Sequence, residues 1–123
     1  RSLQAAGARL VGGSDWSVST PHVMAEVEVA VHRVSPERRD ALPYQPAQAL
    51  DLLTALAAFT NGSAWANHLD RETGSIEPGK LADLVVLDRD IGRVDLRTIG
   101  DTRVLLTLVE GVPVHEDPEL ELA

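Results

Sequence analysis

Four consecutive aliphatic residues, Leu84-Val85-Val86-Leu87, constrain this chain more than any other stretch. A strand that is apolar on both faces must be covered on both. Just upstream, Pro78-Gly79 suits the centre of a type II turn. Proline presets the first φ there, and glycine accepts φ > 0 at the second. Residues 74–88 therefore read as strand, tight turn, buried strand, with Ser75-Ile76 in the first strand and residues 81–87 in the second.

Size sets the next bound. A chain of 123 residues is one domain with room for a modest core. Its aromatic residues are Trp16, Tyr44, Phe59 and Trp65, so the core must be built from Leu, Val and Ala. A net charge of −8 repels a phosphate backbone and argues against nucleic-acid binding. With no cysteine there is no disulfide framework, thiolate metal site or cysteine nucleophile. No apolar run approaches the ~20 residues of a membrane-spanning helix, so no membrane partner is expected. The acids Glu116, Asp117, Glu119 and Glu121 surround Pro118, after Glu110. They predict a solvated, poorly ordered tail over residues 117–123. The chain opens at Arg1, without methionine, in what reads as the middle of a helix. A preceding segment is expected to have been removed, and a cytoplasmic location is expected.

The order of elements is helical first and β later. Residues 1–6 read as the end of a helix stopped at Gly7, and residues 8–11 as a short buried strand closed by Gly12-Gly13-Ser14-Asp15. Thr20-Pro21 reads as a helix start, with the threonine hydroxyl as cap. Val23, Val27, Ala30, Val31 and Val34 form its apolar face, with Glu26 off that face, and Ser35-Pro36 ends it. Residues 47–59 predict a second helix with Asp51 as its cap; Thr60-Asn61-Gly62 breaks it, and residues 63–69 form a third. Then come residues 96–100 as one helical turn, a strand over 103–109, a turn at Glu110-Gly111 and a strand over 112–115. Pro113 puts that last strand at an edge. Four strands at most are expected, too few to cover their own apolar faces.

Asp15 is the strongest candidate for chemistry. It follows an expected strand and two glycines, where α/β folds collect ligands and catalytic groups. The alternative is that Asp15 caps a loop or the next helix. His22, His32, His68 and His115 have neither the HxH spacing nor the spacing of an HExxH helix. Of the four, His22 lies near Asp15. Gly79-Lys80 lacks the upstream glycine of a phosphate loop, and Lys80 reads as a solvated turn residue. No Gly-x-Ser-x-Gly elbow is present.

Taken together, Leu10-Val-Gly-Gly-Ser-Asp-Trp16, residues 54–66, residues 74–88 and residues 104–114 resemble the carboxyl-terminal portion of an amidohydrolase-superfamily enzyme. The type is amidohydrolase family 3, which includes D-aminoacylase-like hydrolases. The resemblance implies an α/β fold that is a fragment of a larger one. Residues 1–69 would be the last strand and following helices of a TIM barrel, residues 70–116 the carboxyl-terminal part of a composite β-sandwich, and residues 117–123 an acidic tail. It also implies hydrolysis of an amide or other non-peptide C–N bond by water activated on one or two divalent metals, commonly zinc. Asp15 would bind metal and take the proton of that water, and Trp16 and His22 would line the pocket of a small amide-like substrate. Ser17 stands where relatives often carry proline, and His22 where they often carry Asp or Asn. The family's histidine ligands match no histidine of this chain. The chain alone is therefore expected to bind no metal tightly and to be inactive, and its uncovered strands to form homo-oligomers. The alternative is a non-catalytic structural or interaction module that self-associates.

Overall fold

A computed structural model describes residues 1–120, so residues 121–123 of the acidic tail, Glu121 included, lie outside it. Helix α1 (Ser2–Ala5) is followed by Gly7 at φ 90°, the expected left-handed stop. Helix α2 (Val23–His32) starts two residues later than expected. Its cap is His22, whose Nδ1 accepts the Ala25 N–H at 3.0 Å. The Thr20 hydroxyl instead accepts the His22 N–H. The helix stops at Arg33 in the left-handed conformation, and Ser35-Pro36 begins a separate 3-10 turn, Pro36–Arg38.

Helix α3 (Leu52–Ala57) is capped by Asp51, as expected: its carboxylate accepts the Thr54 N–H at 2.8 Å and the Thr54 hydroxyl at 2.7 Å. Residues 46–48 form a 3-10 turn of their own, because Ala49 and Asp51 are extended. Thr60-Asn61-Gly62 does not break the run. A π turn, Ala58–Gly62, carries it directly into α4 (Ser63–Ala66).

That wide turn holds the segment expected to be a barrel strand. Residues 8–11 form no strand, and Leu10 alone of them is partly buried. A strand needs neighbours, and among the described residues none pairs with this one. The segment is pinned to helix instead. Gly12 N–H donates to Ala58 O at 2.8 Å, and Ser63 Oγ donates to Gly12 O at 2.8 Å. A Cβ on Gly62 would stand 2.5 Å from Leu10 O, and one on Gly12 would stand 2.8 Å from the Phe59 ring. Glycine at both positions is what permits the approach.

The sheet has three antiparallel strands, β1 (Leu84–Leu87), β2 (Val104–Val109) and β3 (Val112–Glu116), in sequence order. Leu84 pairs with Leu108 and Leu87 with Val104. The β2–β3 hairpin turns at Glu110 (φ 51°) and Gly111 (φ 81°), the double left-handed pair of a two-residue hairpin. Pro113 lies on the edge strand beside an irregularity, where its missing N–H is tolerated. Ser75-Ile76 forms no strand, and Ile76 is 88% exposed. The type II turn is present: Gly79 has φ 95°, and Lys80 N–H donates to Glu77 O.

Three charged residues of the 74–88 stretch work as latches. Lys80 is not solvated; its side chain is 13% exposed. Its Nζ donates to Asp70 O at 2.7 Å and Ser75 Oγ at 2.6 Å, drawing residues 70–80 into a closed loop. Asp83 accepts the Glu110 N–H and the Thr73 hydroxyl, both at 2.9 Å, and so ties the hairpin turn to that loop. Asp88 accepts the Arg103 N–H at 3.0 Å, closing the far end of β1 on β2. Arg89 also chelates Asp88 and is the main cause that holds its carboxyl below the usual range. The tail begins in order as well: Arg103 pairs with Asp117 and with Glu119.

Val27, Ala55 and Ile99 form the core, with Met24, Leu50, Leu56 and Phe59 packed against it. Ile99 belongs to a 3-10 turn, Leu96–Asp101, where one helical turn is expected. Beside it lies a fully buried carboxylate. Glu28 accepts from Arg39 Nε at 2.8 Å, from a second Arg39 nitrogen at 3.0 Å, and from Gly100 N–H at 2.7 Å. Arg39 also chelates Asp101. These two carboxylates, Glu28 first, raise the Arg39 pKa, and Arg39 lowers that of Asp101.

The expectation that β1 is covered on both faces fails within these residues: Val85 is 54% exposed and Val86 41%. The exposure is general. The accessible area is 8515 Å², against roughly 6,400 Å² for a compact monomer of this mass. Among the described residues no helix is long and apolar enough to cross a membrane.

Glu28→Ala strands the Gly100 N–H and leaves Arg39 with Asp101 alone, and should lower stability by about 2 kcal/mol, read from urea unfolding. Acid should also weaken the fold. Asp51, Glu77, Asp88, Asp95 and Asp101 are held below the usual carboxylate range, chiefly by Thr54, Ser75, Arg89, Arg97 and Arg39 respectively, with Asp95 at about 2. Each contributes stability above its unfolded pKa of about 4 and loses it as pH falls toward the lower folded value. Urea midpoints should fall steadily between about pH 5 and pH 2; a flat profile would contradict these contacts.

Candidate active site

Two anchored walls face each other across a cavity of about 670 Å³. One wall is Gly13-Ser14, which continues from the pinned Gly12. The other is the start of α2, with His22, Ala25 and Glu26, and Phe59 and Gly100 also line the space. A second cavity of about 620 Å³ lies between α2 and the sheet, lined by Met24, Leu56, Val85, Thr102 and His115. The two share His22, Phe59 and Gly100.

Of the three residues singled out from sequence, His22 is the one that lines these cavities. Its role as helix cap fixes the ring. Because Nδ1 accepts the Ala25 N–H, the neutral imidazole carries its proton on Nε2. Cap positions favour Asp and Asn, which fits the residue types expected of relatives here. Asp15 follows Ser14 but does not line the cavity; it is exposed, with φ 49°, and its carbonyl accepts the Val18 N–H. Arg33, Gln45, His68 and Glu110 share the left-handed conformation, so backbone shape does not by itself mark Asp15 as functional. Trp16 is 66% exposed and also lies outside the cavity lining.

Sequence reasoning missed Glu26. It stands one helical turn beyond His22, an i,i+4 spacing that puts both on one face. The valine stripe of α2 drew attention to the neighbouring face. Glu26 Oε2 is buried with no hydrogen-bond partner. Such groups are few in folded proteins.

The donor set for a metal is incomplete. Among the described residues, no three of His, Asp and Glu converge on one point. A catalytic zinc takes about three protein ligands. Asp15 belongs to no such group, and neither do His22, His32, His68 and His115.

The chain has counterparts among known proteins. Residues 1–115 match the amidohydrolase family, and the chain belongs to that family. It is 36% identical over 118 residues to a protein of Arthrobacter pascens named N-substituted formamide deformylase, covering 94% of this chain and 21% of that one. It is 38% identical over 87 residues to Protein LONG AFTER FAR-RED 3 of Arabidopsis thaliana, covering 71% of this chain and 15% of that one. It is 26% identical over 116 residues to YtcJ of Bacillus subtilis (strain 168), covering 94% of this chain and 22% of that one. The chain thus spans about a fifth or less of the length of these relatives. No solved structure gives a significant match.

His22→Ala should remove the α2 cap and cost about 1 kcal/mol, whereas His22→Asp should keep it. Thermal unfolding followed by circular dichroism separates the two. An unchanged midpoint in His22→Ala would mean that the Nδ1 contact contributes nothing.

Proposed function

We propose that this chain is the carboxyl-terminal part of a metal-dependent amidohydrolase that hydrolyses an amide or related non-peptide C–N bond of a small molecule. The observation that carries this reading is the family match over residues 1–115, reinforced by a relative named for deformylating N-substituted formamides. In this reading residues 1–69 close a TIM barrel, residues 70–116 belong to a composite β-sandwich, and residues 117–123 are its acidic tail. Asp15 is the carboxylate that accepts a proton from the attacking water, and Trp16 and His22 face the substrate. The metal of such an enzyme, zinc by expectation, needs ligands that these residues do not supply, so the chain alone is inactive.

The other reading is a self-associating module without catalysis. The uncovered β1 face is compatible with it. A larger enzyme accounts for that face equally well and accounts for the family match too, so it is preferred.

The test uses the full-length enzyme that contains this chain, assayed for amine release from simple N-alkyl formamides and amides. Asp15→Asn should lower kcat by about 10²–10⁴-fold with the fold intact. Full activity in that variant would remove Asp15 from the mechanism. Absence of any C–N hydrolysis by the wild type, with a monodisperse oligomer of the 123-residue chain in light scattering, would favour the module.

A further inference from the structure

The cavity beside Gly13-Ser14 carries charge of one sign. Glu26 and Glu37 line it, and no lysine or arginine does. Neither oxygen of Glu26 has a hydrogen-bond partner or an ion-pair partner among the described residues, and Oε2 is buried. A half-buried carboxylate in this condition is short of a donor, and the shortfall costs more as water is excluded. His22 does not supply it: no His22 contact to Glu26 is formed, and Nδ1 is already committed to the Ala25 N–H. The Phe59 ring lines the same space and adds an aromatic surface, which attracts cations and repels anions at its face.

We propose that this cavity receives the positively charged end of an amide substrate, an ammonium or guanidinium group, and that Glu26 is the residue that selects it. The proposal rests on the amidohydrolase reading and names the substrate class within it. The charged group is not at the reacting bond. Glu26 holds the far end of the substrate through a charge-assisted hydrogen bond, with Glu37 adding long-range attraction at the rim. A site built around such a bond discriminates strongly, because an uncharged analogue leaves the carboxylate unpaired.

Two formamides of matched length test this on the full-length enzyme: one N-alkyl, the other with a terminal ammonium in place of the last methyl group. The cationic substrate should have the higher kcat/KM by about tenfold or more. In Glu26→Gln that preference should vanish, with KM rising for the cationic substrate and not for the neutral one. Glu26→Ala should behave alike, and circular dichroism of both variants should match the wild type. No preference in the wild type, or an equal loss on both substrates, would overturn the proposal. A chemical-shift titration with n-butylammonium chloride, against n-butanol as the neutral control, reads the site without catalysis. Ammonium-selective shifts lost in Glu26→Gln would uphold the cation site even if neither formamide were hydrolysed, in which case the hydrolase reading alone would fail. Hydrolysis of both formamides with no Glu26-dependent selectivity would sink the cation site and leave the hydrolase reading standing.

Discussion

Glu28 joins the two halves of this chain. Desolvating a carboxylate is costly, and it is offset only when every oxygen finds a good partner. Here Arg39 takes both oxygens from one side, and the Gly100 N–H takes one from the other. Gly100 lies 72 residues downstream, next to Ile99 in the turn that leads into β2. The carboxylate therefore fixes that turn on α2, and Ile99 fills the space between Val27 and Ala55. Gly100 must be glycine for the approach: a Cβ there would lie 2.9 Å from Glu28 Oε2. With α2 locked at its middle, its first turn cannot roll, and His22 and Glu26 keep their place on the cavity wall.

The opposite wall depends on a different device. A regular α-helix would carry α3 into α4 with its side chains evenly spaced. The π turn widens the helix at Ala58–Gly62, and Gly62 removes the side chain that would block Leu10 O. Gly12 then docks against Ala58 and Ser63, with the Phe59 ring beneath it. Phe59 faces both cavities, so the residue that supports Gly12 also forms their common floor. Rigid helices thus present a short irregular segment, Gly13-Ser14-Asp15, at a defined place. Sites with loop residues held by a firm scaffold are the common pattern.

How far the sequence foretells these features depends on the range of the forces involved. Pro78-Gly79, the Asp51 cap, the stop at Gly7 and the Glu110-Gly111 hairpin are decided by φ preferences or by a side chain bonding a neighbour, and all are found as read. Residues 8–11 fail the reading because a strand is a property of its neighbours. The π turn fails it because Thr60-Asn61-Gly62 has the composition of a break, whereas the contacts that use Gly62 come from Leu10. Lys80 reads as solvated until the Asp70 carbonyl and the Ser75 hydroxyl of a closed loop are placed around it, and nothing local to Glu28 announces partners as distant as Arg39 and Gly100. At the cavity, His22 had been singled out only by its nearness to Asp15. Glu26 was not, because its meaning lies in the donor it lacks, and a sequence does not show what a carboxylate fails to meet.

The stretch from Gly74 to Asp88 divides its work between polar and apolar residues. Lys80, Asp83 and Asp88 hold the loop, the hairpin turn and the end of β2 through hydrogen bonds that are complete within the chain. None of these contacts uses the side chains of Val85 or Val86. The register of β1 is thereby fixed before its apolar face meets any cover, and that face stays open. The area left uncovered, about 2,000 Å² beyond that of a compact monomer, is more than twice the roughly 800 Å² that one partner gives to a standard interface. A bound small molecule cannot supply that much cover. Cover on that scale takes a protein surface, and the polar latches shape the face before any such contact.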